Sequence, residues 1–454
     1  MKNRLIKLLI FILIMTLVLS GLLVIALYAL IDDEQVIFLE PFKTESIIIF
    51  VSLNLLLLSL IYIIIRLLFK RSLLKKNIFP KHRSKKAGID PNQTGEHRFF
   101  ILTDLDKKKN VLANVSYNDD LTLEQLCHDF RNYAADCLKL YYDIEDIRRF
   151  ICSLAVSHIV ILQGMSGTGK TSLAYAYGEF IDNPSVIVPV QPMWKERTDL
   201  IGYYNEFTKK FNETTLLQKL YEANYSKSMY ITVLDEINIA RIEYYFAEFL
   251  SLLELPDYQR RNLDVVSNKW DNDPLQLNNG QINLPHNMWF IGTANNDDST
   301  FAISDKVYDR AMVIDLDKKA QPFQVDSSTK QRIRSEQFQT LVREAKKKYS
   351  LTHRNLRRIK ELDKYLISRF SITFGNRIMQ QIKNYVPVVI ASGGNELTAI
   401  DDILSKKVLR KLEAKNLAYV KSEAKSLVNY IDELFGEDQL IQCKNYMLNI
   451  EKNV

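Results

Sequence analysis

The sequence of 454 residues predicts an α/β chain: strands and helices around a glycine-rich turn, a helical C-terminal part, and a membrane-spanning hairpin in front. Three observations predict it. Two long apolar runs open the chain. The apolar segment IVILQG then passes directly into a glycine-rich turn and a helical run, SLAYAYGEF. Two further apolar segments, YITVL and MWFIGTAN, read as strands that end in polar residues.

The first run, Leu8 to Ile31, is 24 residues without a charge, and the second, Ser46 to Ile65, is 20. A helix needs about 20 apolar residues to cross about 30 Å of hydrocarbon, so both qualify. Lys2, Arg4 and Lys7 precede the hairpin, and Arg66, Lys70, Arg71, Lys75 and Lys76 follow it, while the connection is acidic (Asp32, Asp33, Glu34, Glu40, Glu45). Lysine and arginine stay on the cytoplasmic side, so both termini and everything after residue 69 are expected in the cytoplasm of a cell bounded by a bacterial-type membrane. A cleaved signal peptide followed by one span is the alternative, and it leaves the C-terminal part on the same side. Asn54, within the second span, suits a helix–helix contact.

Composition bounds the remainder. With 47% hydrophobic and 25% charged residues, 14 Gly and 11 Pro, a collagen-like or wholly disordered chain is excluded. Cys127, Cys137, Cys152 and Cys443 form no C-x-x-C pair, which speaks against a disulfide framework or a cysteine zinc site. The net charge of +6 from 60 basic and 54 acidic side chains does not mark a nucleic-acid coat. The mean hydropathy of −0.12 averages an apolar start with a polar body.

Residues 70–118 read as a basic linker, able to lie on anionic headgroups, followed by a small segment in which Phe99 to Val115 is expected to pair as strands. A helix should begin at Thr122, with Gln125 completing a capping box and Leu126, Phe130, Ala134 and Leu138 on one face. A second should cover Ile144 to Ser157.

The turn after IVILQG is Gly164-Met165-Ser166-Gly167-Thr168-Gly169-Lys170-Thr171, then Ser172. It satisfies G-x-x-x-x-G-K-[ST] with a strand before and a helix after, the context that gives the motif meaning. Glycines let backbone N–H groups face phosphate oxygens, and the helix N-terminus adds partial positive charge. Lys170 should reach the β/γ oxygens, and the Thr171 hydroxyl should ligate Mg²⁺. The strand YITVL ends in Asp235-Glu236. Asp235 can hold the magnesium and Glu236 can polarise the attacking water; an acidic helix cap is the plainer alternative.

With these residues the sequence resembles the AAA+ ATPases, and among them the McrB-related branch, from about Thr122 to Asp317. The resemblance rests on GMSGTGKT, VQPMWKERTDLIGYYN, LDEINIARIEYYFAEFLSLLE and MWFIGTANNDDSTFAISDKVYDRAMVI, in that order. It implies an αβα sandwich with a five-stranded parallel sheet over 119–320 and a helical lid over 321–454. It implies that Asn295 is the sensor-1 residue, on a strand between those of the phosphate loop and Asp235. Arg310 would be the arginine finger offered to a neighbouring subunit, or else a partner of Asp309 or Asp305. Arg377, in FGNRIMQQI, resembles the lid's sensor-2 arginine. ATP with Mg²⁺ is the expected cofactor, with GTP the alternative; Asn295-Asn296-Asp297-Asp298 departs from the signature of the GTP-using relatives. Trp194, Arg197, Asp199, Tyr203 and Tyr204 would lie near a pore or interface, or pack locally, and Asn238 and Arg241 could relay nucleotide state or simply cap.

A companion nuclease activity is expected in a separate polypeptide. The three E-x-K triplets, at Glu344, Glu413 and Glu423, lie in lysine-rich helical patterns without a metal-binding strand. Arg354, Arg357, Arg358 and Lys360 form a basic patch that could meet nucleic acid or lipid, or stay solvated. The expected protein is a membrane-tethered NTPase working as a ring, a hexamer by expectation, on an unidentified protein partner. A nucleotide-timed assembly switch and a MoxR-like chaperone are the alternatives.

Overall fold

The computed structural model describes residues 97–118, 120–295, 300–318 and 320–452. The hairpin over 8–31 and 46–65 and the basic linker up to residue 96 lie outside the described residues, as do Asn296, Asp297 and Asp298. Among the described residues no helix is long and apolar enough to cross a membrane.

Helices α1 (Ile101–Lys107), α2 (Lys109–Ala113), α3 (Leu123–Leu138) and α4 (Ile144–Val156) precede β1 (Ile159–Gly164) and α5 (Lys170–Phe180). Then come β2 (Val186–Pro189), α6 (Thr198–Ile201), a small hairpin of β3 (Tyr204–Asn205) and β4 (Lys210–Phe211), and α7 (Thr215–Ala223). After β5 (Tyr230–Asp235), α8 (Ile242–Tyr245) and α9 (Ala247–Leu252) lead to a second hairpin, β6 (Asn262–Asp264) with β7 (Gln281–Asn283). The sheet closes with β8 (Met288–Asn295), α10 (Asp305–Tyr308) and β9 (Met312–Asp315). The helical C-terminal part holds α11 (Ser335–Lys348), α12 (His353–Phe370), α13 (Gly375–Ala391) and α14 (Glu396–Ile403). A π turn (Leu404–Val408) and a 3₁₀ turn (Leu409–Ala414) join α14 to α15 (Leu417–Phe435) and α16 (Ile441–Lys452).

The sheet is five-stranded and parallel throughout, in the order β2-β5-β8-β1-β9. The strand carrying Asn295 therefore lies between those of the phosphate loop and of Asp235, as expected. Alternate residues feed two cores, the period-two signature of a strand buried on both faces. Val160, Leu162, Trp289 and Ile291 join the core shared with α3, α4, α5 and the C-terminal helices, including Phe130, Phe150 and Tyr177. Ile159, Ile161, Met288 and Phe290 face the other core with Tyr221, Tyr245, Phe246 and Phe249.

The capping box forms as the sequence predicts: Gln125 N–H donates to Thr122 Oγ1 at 3.2 Å and Thr122 N–H to Gln125 Oε1 at 3.0 Å. Leu126, Phe130 and Ala134 are buried beneath it, and Leu138 is half-buried. The strand pair expected over 99–115 is instead two short helices. Phe99, Leu102 and Leu105 recur at helical spacing and are the buried residues of this segment. Glu213, from another part of the chain, accepts the free N–H groups of Phe100, Ile101 and Leu102 at 2.9, 3.0 and 2.8 Å and so nucleates the turn. Residues 320–334 carry only an isolated bridge, Ser228 with Arg334, and the lid helices begin at Ser335 rather than 321.

Candidate nucleotide site

Parallel strands all point their C-terminal ends at one edge, and ligands of open α/β sheets bind there. Gly164 ends β1 and Asn295 ends β8, paired in register. Gly164 has φ +140°, and a side chain there would meet the Leu316 carbonyl oxygen at 2.6 Å, so the turn admits only glycine. Gly167 and Gly169 also take positive φ, and Met165, Ser166 and Gly167 are exposed at the loop's crest. The Thr168 hydroxyl donates to the Met165 carbonyl at 3.0 Å, and Tyr142 closes the loop from α4's side by donating to the Gly169 carbonyl at 3.0 Å. Thr171 and Ser172 stand half-exposed in the first turn of α5.

Lys170 is only 7% exposed, and its ammonium donates to the Gly164 and Met165 carbonyls at 2.9 and 2.7 Å. Its ammonium is thus held at the loop, where phosphate oxygens would be charge-assisted acceptors for it.

One oxygen of Asp235 collects two hydroxyls: Thr171 and Thr293 each donate to Oδ1 at 2.7 Å. Thr293 in turn accepts the Glu236 N–H at 2.9 Å. Glu236 is exposed and left-handed, φ +56°, a conformation uncommon for a non-glycine residue and typical of functional sites. Asn238 is buried and donates to the Asn295 carbonyl and the Thr300 hydroxyl, both at 2.9 Å, tying the segment after β5 to the end of β8. Thr171, Asp235, Glu236, Thr293 and Asn295 thus gather around the phosphate loop. A hydroxyl beside a carboxylate is the hard oxygen set that suits Mg²⁺, with the remaining positions left to phosphate and water. Thr171 and Asp235 would hold the ion, which neutralises phosphate charge when bound.

Neither Arg377, expected as a lid arginine, nor Arg310, expected to serve a neighbouring subunit, belongs to this group. Arg310, just before β9, and Arg377, in the first turn of α13, stand at the end of the sheet where the strands start. Their cleft is lined by Ser157, His158 and Ile159, and Ile159 is five residues before Gly164, roughly 16 Å at about 3.3 Å per residue. Arg377 therefore does not reach over the phosphate loop of its own chain. The cause is local: Gln381 donates to the Asp309 carbonyl at 3.1 Å, which pins the start of α13 beside the start of β9. Arg310 pairs with Glu254 at 2.8 Å rather than with Asp309 or Asp305.

Thr293, Tyr142, Glu254 and Arg261 went unread. Thr293 had a signal, since two residues before Asn295 on one strand is the same face. The aromatic segment packs locally: Trp194 stacks edge-on against Tyr245 at 5.6 Å, Arg197 pairs with Glu248 at 2.6 Å, and Tyr204 meets Trp270 at 5.9 Å. Asp199 caps the N–H groups of Lys195 and Glu196, while Tyr203 is exposed. Arg241 lies over the Phe301 ring at 5.1 Å.

Comparison with known families agrees with this geometry. Residues 159–311 match the AAA domain of the dynein-related subfamily. This stretch is similar to an AAA domain. It begins at the first residue of β1 and ends just past Arg310, so it contains the phosphate loop, Asp235, Glu236 and Asn295. No curated protein matches the chain. Among solved structures, the full-length MCM homolog from Methanopyrus kandleri is similar at 10% identity, with 63% of this chain and 61% of that chain covered and a TM-score of 0.36. The chain thus spans about three fifths of that protein's length.

Proposed function

We propose that this protein is a Mg²⁺-dependent nucleoside triphosphatase that acts as a ring of its own copies and remodels or moves a protein partner from a membrane tether. ATP is the assigned nucleotide and GTP the alternative. The observation that carries the reading is the double hydroxyl grip on Asp235, which fixes a carboxylate against Thr171 and leaves Glu236 free beside it. Lys170 binds the phosphates, Glu236 orients and polarises the attacking water, and Asn295 helps to place that water. The ring is supported by Arg310, which stands too far from its own phosphate loop to serve it and is suited to serve another copy's. The two N-terminal apolar runs and their basic flanks support the tether, with both termini and the AAA domain in the cytoplasm. The McrB-like assignment rests on the order of the four quoted sequence stretches, and with it comes the proposal of a separately encoded nuclease as partner.

Phosphate release from full-length protein in detergent, with ATP and with GTP, tests the reading. Wild type should turn over at least one of them, and Lys170→Ala should be inactive. Equal rates in the two proteins would overturn it.

A further inference from the structure

A second concentration of charge lies at the strand-start end of the sheet. A cleft of about 490 Å³ there is lined by Arg261, Arg310 and Arg377 with Glu254, His158 and Gln381 among its other walls. Arg310 Nε and Arg377 Nη2 approach the same Glu254 oxygen, at 2.8 and 2.6 Å. Arg310 Nε makes no directed hydrogen bond in doing so. Arg261 is 7% exposed; its Nε and Nη2 donate to the Leu255 carbonyl at 3.0 and 2.7 Å, and its Nη1 has no partner. His158, buried beside Arg261, adds no counter-charge: burial first, and Arg261 second, push its pKa down to about 4.

Three guanidiniums therefore line the cleft with one carboxylate, which Arg310 and Arg377 contact and Arg261 does not. A buried donor without an acceptor costs free energy, and a carboxylate with two oxygens cannot serve three planar forks at once. The missing component is an oxyanion with more acceptors and more charge than a carboxylate, which describes a phosphoryl group. A half-open cleft lined by fixed guanidiniums is also the arrangement that recognises it bidentately.

We propose that Arg261 and Glu254 make this cleft a gated phosphoryl seat: Arg261 completes a three-arginine set, and Glu254 is a resident anion that yields when the terminal phosphoryl group of a second copy's nucleotide enters. The assignment of the nucleotide rests on the function proposed above; the anion chemistry of the cleft does not. No bond is made or broken in the exchange. Arg261 acts as a binding group, and Glu254 positions Arg310 and Arg377 while the seat waits. Inorganic phosphate shares the chemistry, so the test has two arms.

The first arm uses full-length protein in detergent. Glu236→Gln and Arg261→Gln, each expected to be inactive alone, are mixed before assembly. Turnover should return to about a quarter of wild type, the share of boundaries in a random ring that join an intact Glu236 to an intact Arg261. No recovery, or an Arg261→Gln protein as active as wild type, overturns the second-copy assignment. Thermal unfolding of Arg261→Gln, and rescue of activity by Arg261→Lys, separate this from lost folding. The second arm titrates inorganic phosphate into Lys170→Ala protein, whose phosphate loop is disabled. Adding Glu254→Gln should tighten phosphate binding at least about tenfold, and adding Arg261→Gln should cancel the gain. Unchanged affinity overturns the seat itself. This arm stands even where wild type hydrolyses no triphosphate, so failure of the catalytic reading and failure of the seat are distinguishable.

Discussion

Thr293 holds Asp235 from the neighbouring strand: its hydroxyl donates to the carboxylate at 2.7 Å and accepts the N–H of Glu236 at 2.9 Å. One side chain thereby fixes both acidic residues of the site. Replacing Thr293 with Val keeps the shape of the side chain and removes both bonds. The Glu236 N–H is then left without its acceptor, at a cost of about 1–3 kcal/mol. Loss of a supporting bond of this kind lowers activity roughly 10- to 100-fold. Thr293→Val should therefore bind nucleotide nearly as wild type does while its turnover falls by that factor. Equilibrium binding beside steady-state turnover measures the split, and a drop confined to binding would contradict the role given to Thr293.

Two of the three glycines of the phosphate loop, Gly164 and Gly167, should respond differently to alanine. At Gly164 a Cβ would stand 2.6 Å from the Leu316 carbonyl oxygen, fixed backbone beside the edge strand, and φ is +140°. At Gly167 φ is +78° but nothing lies within 4 Å. Gly167→Ala should cost only the left-handed penalty, roughly 1–2 kcal/mol, and remain folded. Gly164→Ala adds overpacking of about 1–3 kcal/mol and should displace β9 or fail to accumulate. Urea unfolding of the pair checks the ranking; equal losses would show that Leu316 yields easily.

How much of this was legible in the sequence depended on whether the signal was local. The Thr122–Gln125 cap, the strand-to-helix turn at Gly164 and the acidic end of β5 each lie within a few residues, and each formed as read. The placement of β8 between β5 and β1 came from the resemblance, and the sheet order agrees. What the sequence did not announce depended on contacts distant along the chain. The segment after Phe99 is helical because Glu213 caps it from more than a hundred residues away. Arg377 stands at the far end of the sheet because Gln381 bonds the Asp309 carbonyl, which no pattern around FGNRIMQQI announces. Glu254 closes a quoted motif stretch, yet its two arginine partners lie 56 and 123 residues later.

Lys407 makes stability depend on pH in the neutral to alkaline range. It is buried, bonded to Gln381 Oε1 at 2.6 Å, and burial pushes its pKa down from 10.5 to about 7, with Arg377 and Lys411 adding to the fall and Asp309 opposing it. Between pH 7 and 10.5 the unfolded chain binds this proton and the folded chain does not. Stability contributed here therefore rises with pH across that window and is lost as pH falls through about 7, with a slope of about 1.4 kcal/mol per pH unit from one group. Lys407→Met should flatten the profile and raise the midpoint of urea unfolding at pH 7. An unchanged slope in the variant would assign the dependence elsewhere.

Arg98 joins the start of the described chain to the loop between β6 and β7. Its guanidinium pairs with Asp273 at 2.6 Å, lies over the Trp270 ring at 4.6 Å and donates to the Asn268 carbonyl, while the Arg98 carbonyl accepts the Phe211 N–H of the other hairpin at 2.8 Å. Both partners of the ion pair are almost fully buried, with side chains 4% and 3% exposed. Removing one member of such a pair leaves an uncompensated charge and costs about 3–5 kcal/mol, whereas replacing both with apolar residues is often close to neutral. Arg98→Met should lower stability by that amount and raise amide exchange in the loop after Asp264. Arg98→Met with Asp273→Leu should recover most of the loss. The double variant falling as far as the single one would mean that the cation–π contact with Trp270, rather than the ion pair, fastens this segment to the hairpin.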